Sequence, residues 1–417
     1  MWGFITVLLD PLVPRLKELF ELTYFEAGLA QSAFFLAYFL FSIPSGALLS
    51  NIGYKRGMTY GLVLMGIGCA LFYPAASLRI FPLFLLANFT LAGGMTILQV
   101  AANPYVSVLG PERGASSRLN LSQAFNSLGT TLAPIVGAMF ILSDSIKTSE
   151  EISLLDYASR EIYLNAEASA VQTPFVWLAV ALFALAGLIS IVKLPVILSH
   201  NEEGGYAKAL RDKRLVFGAF AILLYVGAEV TIGTYLTNYF KEMGMAEVIR
   251  SNDLLSWISH LFNQSDLNTI DDKAVVGAFV TLYWGGAMIG RFVGAILTSV
   301  LRPSKVLTVF AVVALTLVIV SASSSGLVAF WSILAVGFFN SIMFPTIFTI
   351  SIEGLGELKP QGSGILCTAI VGGALIPPLF GHLTDDFGFK LAFLVVMGCY
   401  LYIFFFSSFS NKYKLGS

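Results

Sequence analysis

The sequence predicts an all-α membrane protein of twelve transmembrane helices, arranged as two pseudo-symmetric six-helix bundles. Three observations predict it. Of 417 residues, 57% are hydrophobic and only 12% are charged, whereas a soluble domain carries about 25% charged residues. The charges fall in short clusters between apolar runs, each near the roughly 20 residues a helix needs to cross a bilayer. The two halves of the chain also repeat one another in the spacing of amides, prolines and glycines. A β-barrel would read as short segments of alternating polarity, and these are absent.

Taken in order, the expected spans are 1–19, 25–50, 57–77, 80–109, 117–143, 173–198, 215–240, 274–300, 304–322, 328–352, 362–384 and 388–409. The first run begins at Met1 itself, which is read as a helix entered part-way, with residues upstream missing from this numbering. It is almost uncharged from Trp2 to Pro14 except for Asp10. Spans two and three are divided by Gly53-Tyr54-Lys55-Arg56, and spans four and five by Gly110-Pro111-Glu112-Arg113. Residues 144–172 and 241–273 read as polar, acid-rich loops; the first holds Glu150, Glu151, Asp156 and Glu161. Residues 199–214 differ in carrying Lys208, Arg211, Lys213 and Arg214. Cytoplasmic loops concentrate Lys and Arg. Lys55, Arg56, Arg113, Arg118, Lys193, the 208–214 cluster, Arg302, Lys305, Lys412 and Lys414 all fall on one side, taken as cytoplasmic. Both termini then face the cytoplasm. The predicted domains are 1–198, an N-terminal bundle, and 215–417, a C-terminal bundle, joined by a cytoplasmic linker at 199–214.

The repeat is visible at matched spans. Gln99 precedes Pro104 by the same interval in span four as Asn340 precedes Pro345 in span ten. Gly129, Pro134 and Gly137 of span five are spaced like Gly373, Pro378 and Gly381 of span eleven. Duplicated halves of this kind place a binding site near the midplane at the repeat interface.

With these features in hand, the chain resembles the major facilitator superfamily. The stretch from Gly46 through Gly53 to Lys55-Arg56 is similar to its loop signature of glycines followed by basic residues, with Ser50 where the signature has an acid. Gly290-Arg291-Phe292-Val293-Gly294 is a second-half counterpart. Within that superfamily the chain resembles the fucose:proton symporter family, and especially its glucose/galactose branch. The resemblance is carried by Gly3 to Asp10, Ala101 to Tyr105, Val108 to Glu112, Arg118 to Gly129, Tyr283 to Gly286 and Phe344 to Phe348. It implies the major facilitator fold and sugar transport. Two positions depart. Proton-coupled fucose members carry a glutamate where this chain has Gln99, while the glucose/galactose branch, which includes sodium-dependent members, is similar to this chain there. Leu9 stands where the family usually has an asparagine.

An ionisable residue at membrane depth costs between ~3 and ~10 kcal/mol and usually marks a pathway. Asp10 is therefore the candidate for ion coupling, as a proton carrier or a sodium ligand; the competing reading is a carboxylate that reaches water beside the break at Pro11. Glu229 is a candidate sugar ligand, because an ionised carboxylate only accepts and sugars are rich in donors; otherwise it is interhelical glue. Gln99, Asn103, Gln123, Asn126 and Asn340 form an amide set suited to a neutral polyol, although singly each is an ordinary packing hydrogen bond. Gln31 joins them as a weaker candidate. Tyr283 and Trp284, with Phe34, Phe35 and Tyr38, are candidates for stacking on a pyranose, against core packing. Arg291 is read as a cap or gate, with Glu353 as its partner or as a counterpart in the loop network. Cys69, Cys367 and Cys399 read as lipid- or core-facing small residues with no disulfide expected, and the histidines as solvated, with no metal site other than a possible sodium at Asp10.

Net charge is −1, which gives no case for nucleic acid. No phosphate-cradling loop occurs, so an ATP-driven pump is not expected, nor an enzyme, nor a cofactor beyond the coupling cation. The expected function is cation-coupled import of a neutral hexose such as glucose or galactose, sodium-driven, by a monomer in the bacterial inner membrane, surrounded by lipid. The alternatives are a proton-coupled carrier of fucose or N-acetylglucosamine, a drug or metabolite exporter, and a sugar receptor without flux.

Overall fold

The computed structural model describes residues 3–5, 24–140, 154–197, 205–262, 267 and 269–412, with side chains except at 24–32, 134–140, 170–171 and 412. Asp10, Leu9 and the expected first span lie outside the described residues apart from a helical turn at 3–5. The described residues are almost wholly helical and contain no strand.

The helices are α1 (Tyr24–Leu78), α2 (Phe81–Val108), α3 (Ala115–Phe140), α4 (Tyr157–Ile191) and α5 (Lys213–Glu242). Two short helices, α6 (Met245–Ser251) and α7 (Asp253–His260), and a further helical turn at Asp272–Gly277 precede α8 (Val280–Val300) and α9 (Pro303–Ser323). Then come α10 (Gly326–Asn340), α11 (Met343–Ile352), α12 (Lys359–Thr368), α13 (Gly372–Phe387) and α14 (Phe389–Lys412). Nine stretches among the described residues are long and apolar enough to span a bilayer. One of these, 33–78, is two expected spans, because α1 breaks at Gly53, whose φ of 79° and ψ of 164° only glycine adopts readily. The helix α3 matches expected span five.

Two loops differ from expectation. The helix α4 starts well before the expected residue 173, consuming the end of the acid-rich 144–172 segment. Asp156 caps it by accepting from the Ser159 N–H at 3.3 Å. Arg79 then grips Glu161 through two hydrogen bonds of 2.9 Å, so polar sequence is held as helix by a bidentate pair. The 241–273 loop is likewise ordered. Arg250 donates to Asp272 at 2.7 Å and to the Leu267 and Ile270 carbonyls, tying α6 to the entry of α8.

Packing divides the chain into two compact units, each with its own core. Unit 1 comprises Met1–Val108, Phe125–Arg211 and Gly354–Thr368; unit 2 comprises Leu109–Ala124, Asp212–Glu353 and Ala369–Ser417. The first turns of α3 thus belong with the second-half helices, and α12 belongs with the first-half ones. In unit 1, the second arm of α1 meets α2 backbone to backbone: a Cβ at Gly94 would lie 2.5 Å from the Met65 nitrogen, and one at Gly61 2.7 Å from the Leu98 nitrogen. Small residues at such crossings are how helices associate where lipid removes the hydrophobic incentive. Phe72, Phe84 and Phe175 fill the space beside this crossing, with ring centroids 5.0 and 4.1 Å from Phe72. In unit 2, Phe240, Phe279 and Phe330 form the corresponding aromatic core, with centroids 4.4 and 5.0 Å from Phe330. Ser116 and Thr349 share a hydrogen bond of 2.5 Å, and Ser117 donates to the Ala295 carbonyl at 2.7 Å, docking the start of α3 onto α11 and α8. Cys69, Cys367 and Cys399 are buried.

The matched amide–proline spacing has a physical consequence in both units. A proline in a helix releases the carbonyl four residues before it, and an unsatisfied carbonyl at membrane depth is costly. Pro104 releases Val100, whose carbonyl accepts from Ser363 Oγ of α12 at 2.9 Å. Pro345 releases Ser341, whose carbonyl accepts from Arg291 Nε of α8 at 3.2 Å. The first helix stays continuous, whereas the second breaks at Ser341–Ile342 between α10 and α11.

Candidate functional site

Each unit carries a polar cluster at membrane depth, and the richer one is in unit 2. Tyr225 and Glu229 lie one turn apart on α5, Tyr283 and Arg291 on α8, Asn340 at the end of α10, and Tyr400 on α14. Asn340 is the knot. Its Nδ2 donates to Tyr283 Oη at 2.8 Å, and its Oδ1 accepts from Tyr400 Oη at 2.7 Å. Tyr283 Oη donates in turn to the Glu229 backbone carbonyl at 3.4 Å. Around this satisfied core sits an unsatisfied rim. Arg291 Nη2 is 3.8 Å from Glu229 Oε1, with the two side chains 14% and 13% exposed. Neither that oxygen nor Tyr225 Oη completes a well-formed hydrogen bond among the described residues, although the Tyr225 and Glu229 side chains interact directly with one another.

These positions correct parts of the sequence reading. Arg291 pairs with Glu229 rather than Glu353; Glu353 instead faces Arg214, at 3.7 Å, with Arg214 also donating to its backbone carbonyl. Arg291 is held toward Glu229 by its Nε, which donates to the Ser341 carbonyl at 3.2 Å. Tyr283 is fully buried, so it cannot offer a stacking face. Trp284 remains 40% exposed, edge-on to Tyr283 at 5.1 Å. Gly233 makes room for that indole, since a Cβ there would lie 2.7 Å from its Cζ2. Asn340 is also fully buried with both amide ends engaged, which makes it a scaffold for the cluster. Tyr225 and Tyr400 were not singled out as candidates. The spacing of Tyr225 and Glu229 on one helical face was the available signal for the first; nothing local marks the second.

In unit 1, Gln99 Nε2 donates to Tyr38 Oη at 2.6 Å. This fixes the amide so that its carbonyl end is left to accept elsewhere. Asn103, one turn on, is buried, and its own carbonyl accepts from Ser107 Oγ at 2.8 Å. Phe34 lies beside Tyr38, centroids 5.1 Å apart. Asn126 Oδ1 accepts from the Gly3 N–H at 2.8 Å, so half of its amide serves packing. Gln123, three residues earlier and buried, falls in the part of α3 that belongs to unit 2. The Gln31 side chain lies outside the described residues, as does Asp10. Among the described residues, no cluster of His, Cys, Asp and Glu could hold a metal ion.

A multi-pass helical bundle with charged and amide side chains gathered in its interior is the construction of a membrane transporter. The comparisons place it further. The model of the Major Facilitator Superfamily matches residues 2–370, and the chain belongs to that family. It is 44% identical to the glucose/galactose transporter of Brucella abortus biovar 1 (strain 9-941), over 99% of this chain and 92% of the relative. It is 34% identical to the L-fucose-proton symporter of Escherichia coli (strain K12), over 99% of this chain and 91% of that one. The crystal structure of the major facilitator transporter FucP in the outward conformation superposes with a TM-score of 0.86 at 32% identity, covering 99% of this chain and 96% of that chain. The twelve-helix fold expected from the sequence is the fold of this family.

Proposed function

We propose that this transporter imports a neutral hexose such as glucose or galactose across the bacterial inner membrane, coupled to a cation, by alternating access. The observation that carries the reading is the unsatisfied rim of the unit 2 cluster. Glu229 Oε1 and Tyr225 Oη complete no well-formed hydrogen bond among the described residues; Glu229 is held by Arg291 at 3.8 Å and leans on Tyr225. A hexose supplies both donors and acceptors around its ring, and no charge that would need neutralising. The half-exposed Trp284 indole offers an apolar surface for the C–H face of a pyranose. Gln99 and Asn103 in unit 1, with Gln31, Gln123 and Asn126, supply neutral amides with both donors and acceptors. The names of the glucose/galactose and fucose relatives agree with this chemistry.

The coupling cation enters at Asp10. Coupling requires that ion and sugar favour the same conformations, so that each raises the affinity of the other by the same factor. Sodium is the first choice, because Gln99 is an amide that cannot titrate and stands where proton-coupled fucose members carry a glutamate. Proton coupling, with fucose or N-acetylglucosamine as substrate, is the second reading, favoured by the relatives named as L-fucose-proton symporters. The working unit is a monomer with both termini in the cytoplasm and the 199–214 segment linking two bundles. Counterflow of labelled glucose against a panel of unlabelled sugars tests the substrate. Glucose and galactose are expected to drive exchange, and Glu229→Gln to lose it. Exchange of none of the sugars by the unaltered protein would refute the proposal.

A further inference from the structure

We infer that the break in α1 forms a site for the phosphate headgroup of an acidic glycerophospholipid. Unit 1 has a groove of about 270 Å³, lined on one side by Ile52, Gly53, Tyr54, Lys55 and Arg56 and on the other by residues 194–197, just beyond the end of α4. Gly53 opens it: the positive φ turns the chain away, and a Cβ there would meet nothing within 4 Å.

Three features of the lining fit an anion. Tyr54 is only 4% exposed and lines the groove, yet its Oη has no hydrogen-bond partner among the described residues. A buried hydroxyl in that state has a hydrogen bond left to give, which a bound water or ligand can take. Lys55 Nζ donates once, to the Ser190 carbonyl at 2.8 Å, which leaves two of its three protons for a ligand. Arg56 is exposed and enters no ion pair among the described residues. Among the described residues no acidic side chain lines the groove; Glu357 stands outside its wall. Ser50 donates to the Ala47 carbonyl and brings no charge to offset the two bases.

A second set of features selects a lipid over a free anion. Beside the exposed bases Arg56 and Lys193, the groove has an apolar collar: Ile191, Val192 and Val196 are 80%, 43% and 89% exposed. Such a collar is poorly matched to water and well matched to acyl chains. It lies where a membrane helix ends beside basic residues, the arrangement in which side chains between helices take acidic headgroups. The phosphate would accept from Tyr54 Oη, Lys55 Nζ and the Arg56 guanidinium, with the chains against the collar.

The test is thermal unfolding of the full chain in detergent, with added phosphatidylglycerol, phosphatidylcholine or inorganic phosphate at equal concentration. Phosphatidylglycerol is expected to raise the Tm, and the rise is expected to fall by at least half in Arg56→Gln and in Tyr54→Phe. Without lipid, Tyr54→Phe should be at least as stable as the unaltered chain, because it removes an unpaired hydroxyl and keeps the ring. Equal phosphatidylglycerol shifts in all three proteins would overturn the proposal. So would an equal shift from phosphatidylcholine, or from inorganic phosphate, which would make the groove a small-anion site.

Discussion

Replacing Arg291 by glutamine should be among the most destabilising single changes in unit 2, and the effect should be rescued by a second change. At 3.8 Å, the attraction between Arg291 and Glu229 is about 4 kcal/mol at an effective dielectric of about 20. Forming the pair in the bundle also cost desolvation, so its net worth is smaller. Breaking it is another matter, because the remaining carboxylate stays buried without a counter-charge, a loss of about 3–5 kcal/mol. Arg291→Gln also removes the donor to the Ser341 carbonyl, adding about 1 kcal/mol if no other donor replaces it. The double variant Glu229→Gln/Arg291→Gln carries no buried charge and should recover most of the electrostatic part. Unfolding in mixed micelles with increasing SDS, read by far-UV circular dichroism for all four proteins, measures this cycle. A single variant within about 0.5 kcal/mol of the unaltered chain, or a double variant no more stable than Arg291→Gln, would refute the reasoning.

Other outcomes follow from the same contacts. Gly94→Ala places a Cβ 2.5 Å from the Met65 nitrogen; it should force the helices apart and cost about 1–3 kcal/mol, seen as a lower Tm, whereas Gly187→Ala, with nothing within 4 Å, should not. Ser363→Ala leaves the Val100 carbonyl released by Pro104 without its donor and should cost about 1–3 kcal/mol, with Ser363→Thr retaining most of the stability. Asp10→Asn should abolish gradient-driven accumulation while leaving counterflow measurable; accumulation at the unaltered level would remove Asp10 from the coupling role.

Most of the architecture was legible because bilayer-spanning helices are a composition signal. Apolar runs and basic loops placed the described helices to within a few residues, and the exceptions are instructive. The extension of α4 back to Tyr157 depends on Arg79 reaching Glu161 from another loop, which no local pattern encodes. The repeated amide–proline spacing was legible as a pattern, but its meaning lay in three dimensions: each proline frees a carbonyl that a distant side chain must satisfy. For the candidate site, the sequence picked Glu229, Asn340, Tyr283 and Trp284, and the structure gathers them around one cluster. Their roles were not legible. Whether an aromatic stacks or scaffolds depends on burial, which separates Tyr283 from its neighbour Trp284. The pairing of Arg291 with Glu229 joins two helices far apart in sequence, as does the bond from Tyr400 to Asn340.

The most direct test of the central claim is uptake of labelled glucose into proteoliposomes under an imposed inward sodium gradient, and separately under an inward proton gradient. The account predicts accumulation above equilibrium with sodium, abolished by Asp10→Asn and unaffected by collapsing the pH difference. Equilibration without accumulation under either gradient would contradict it.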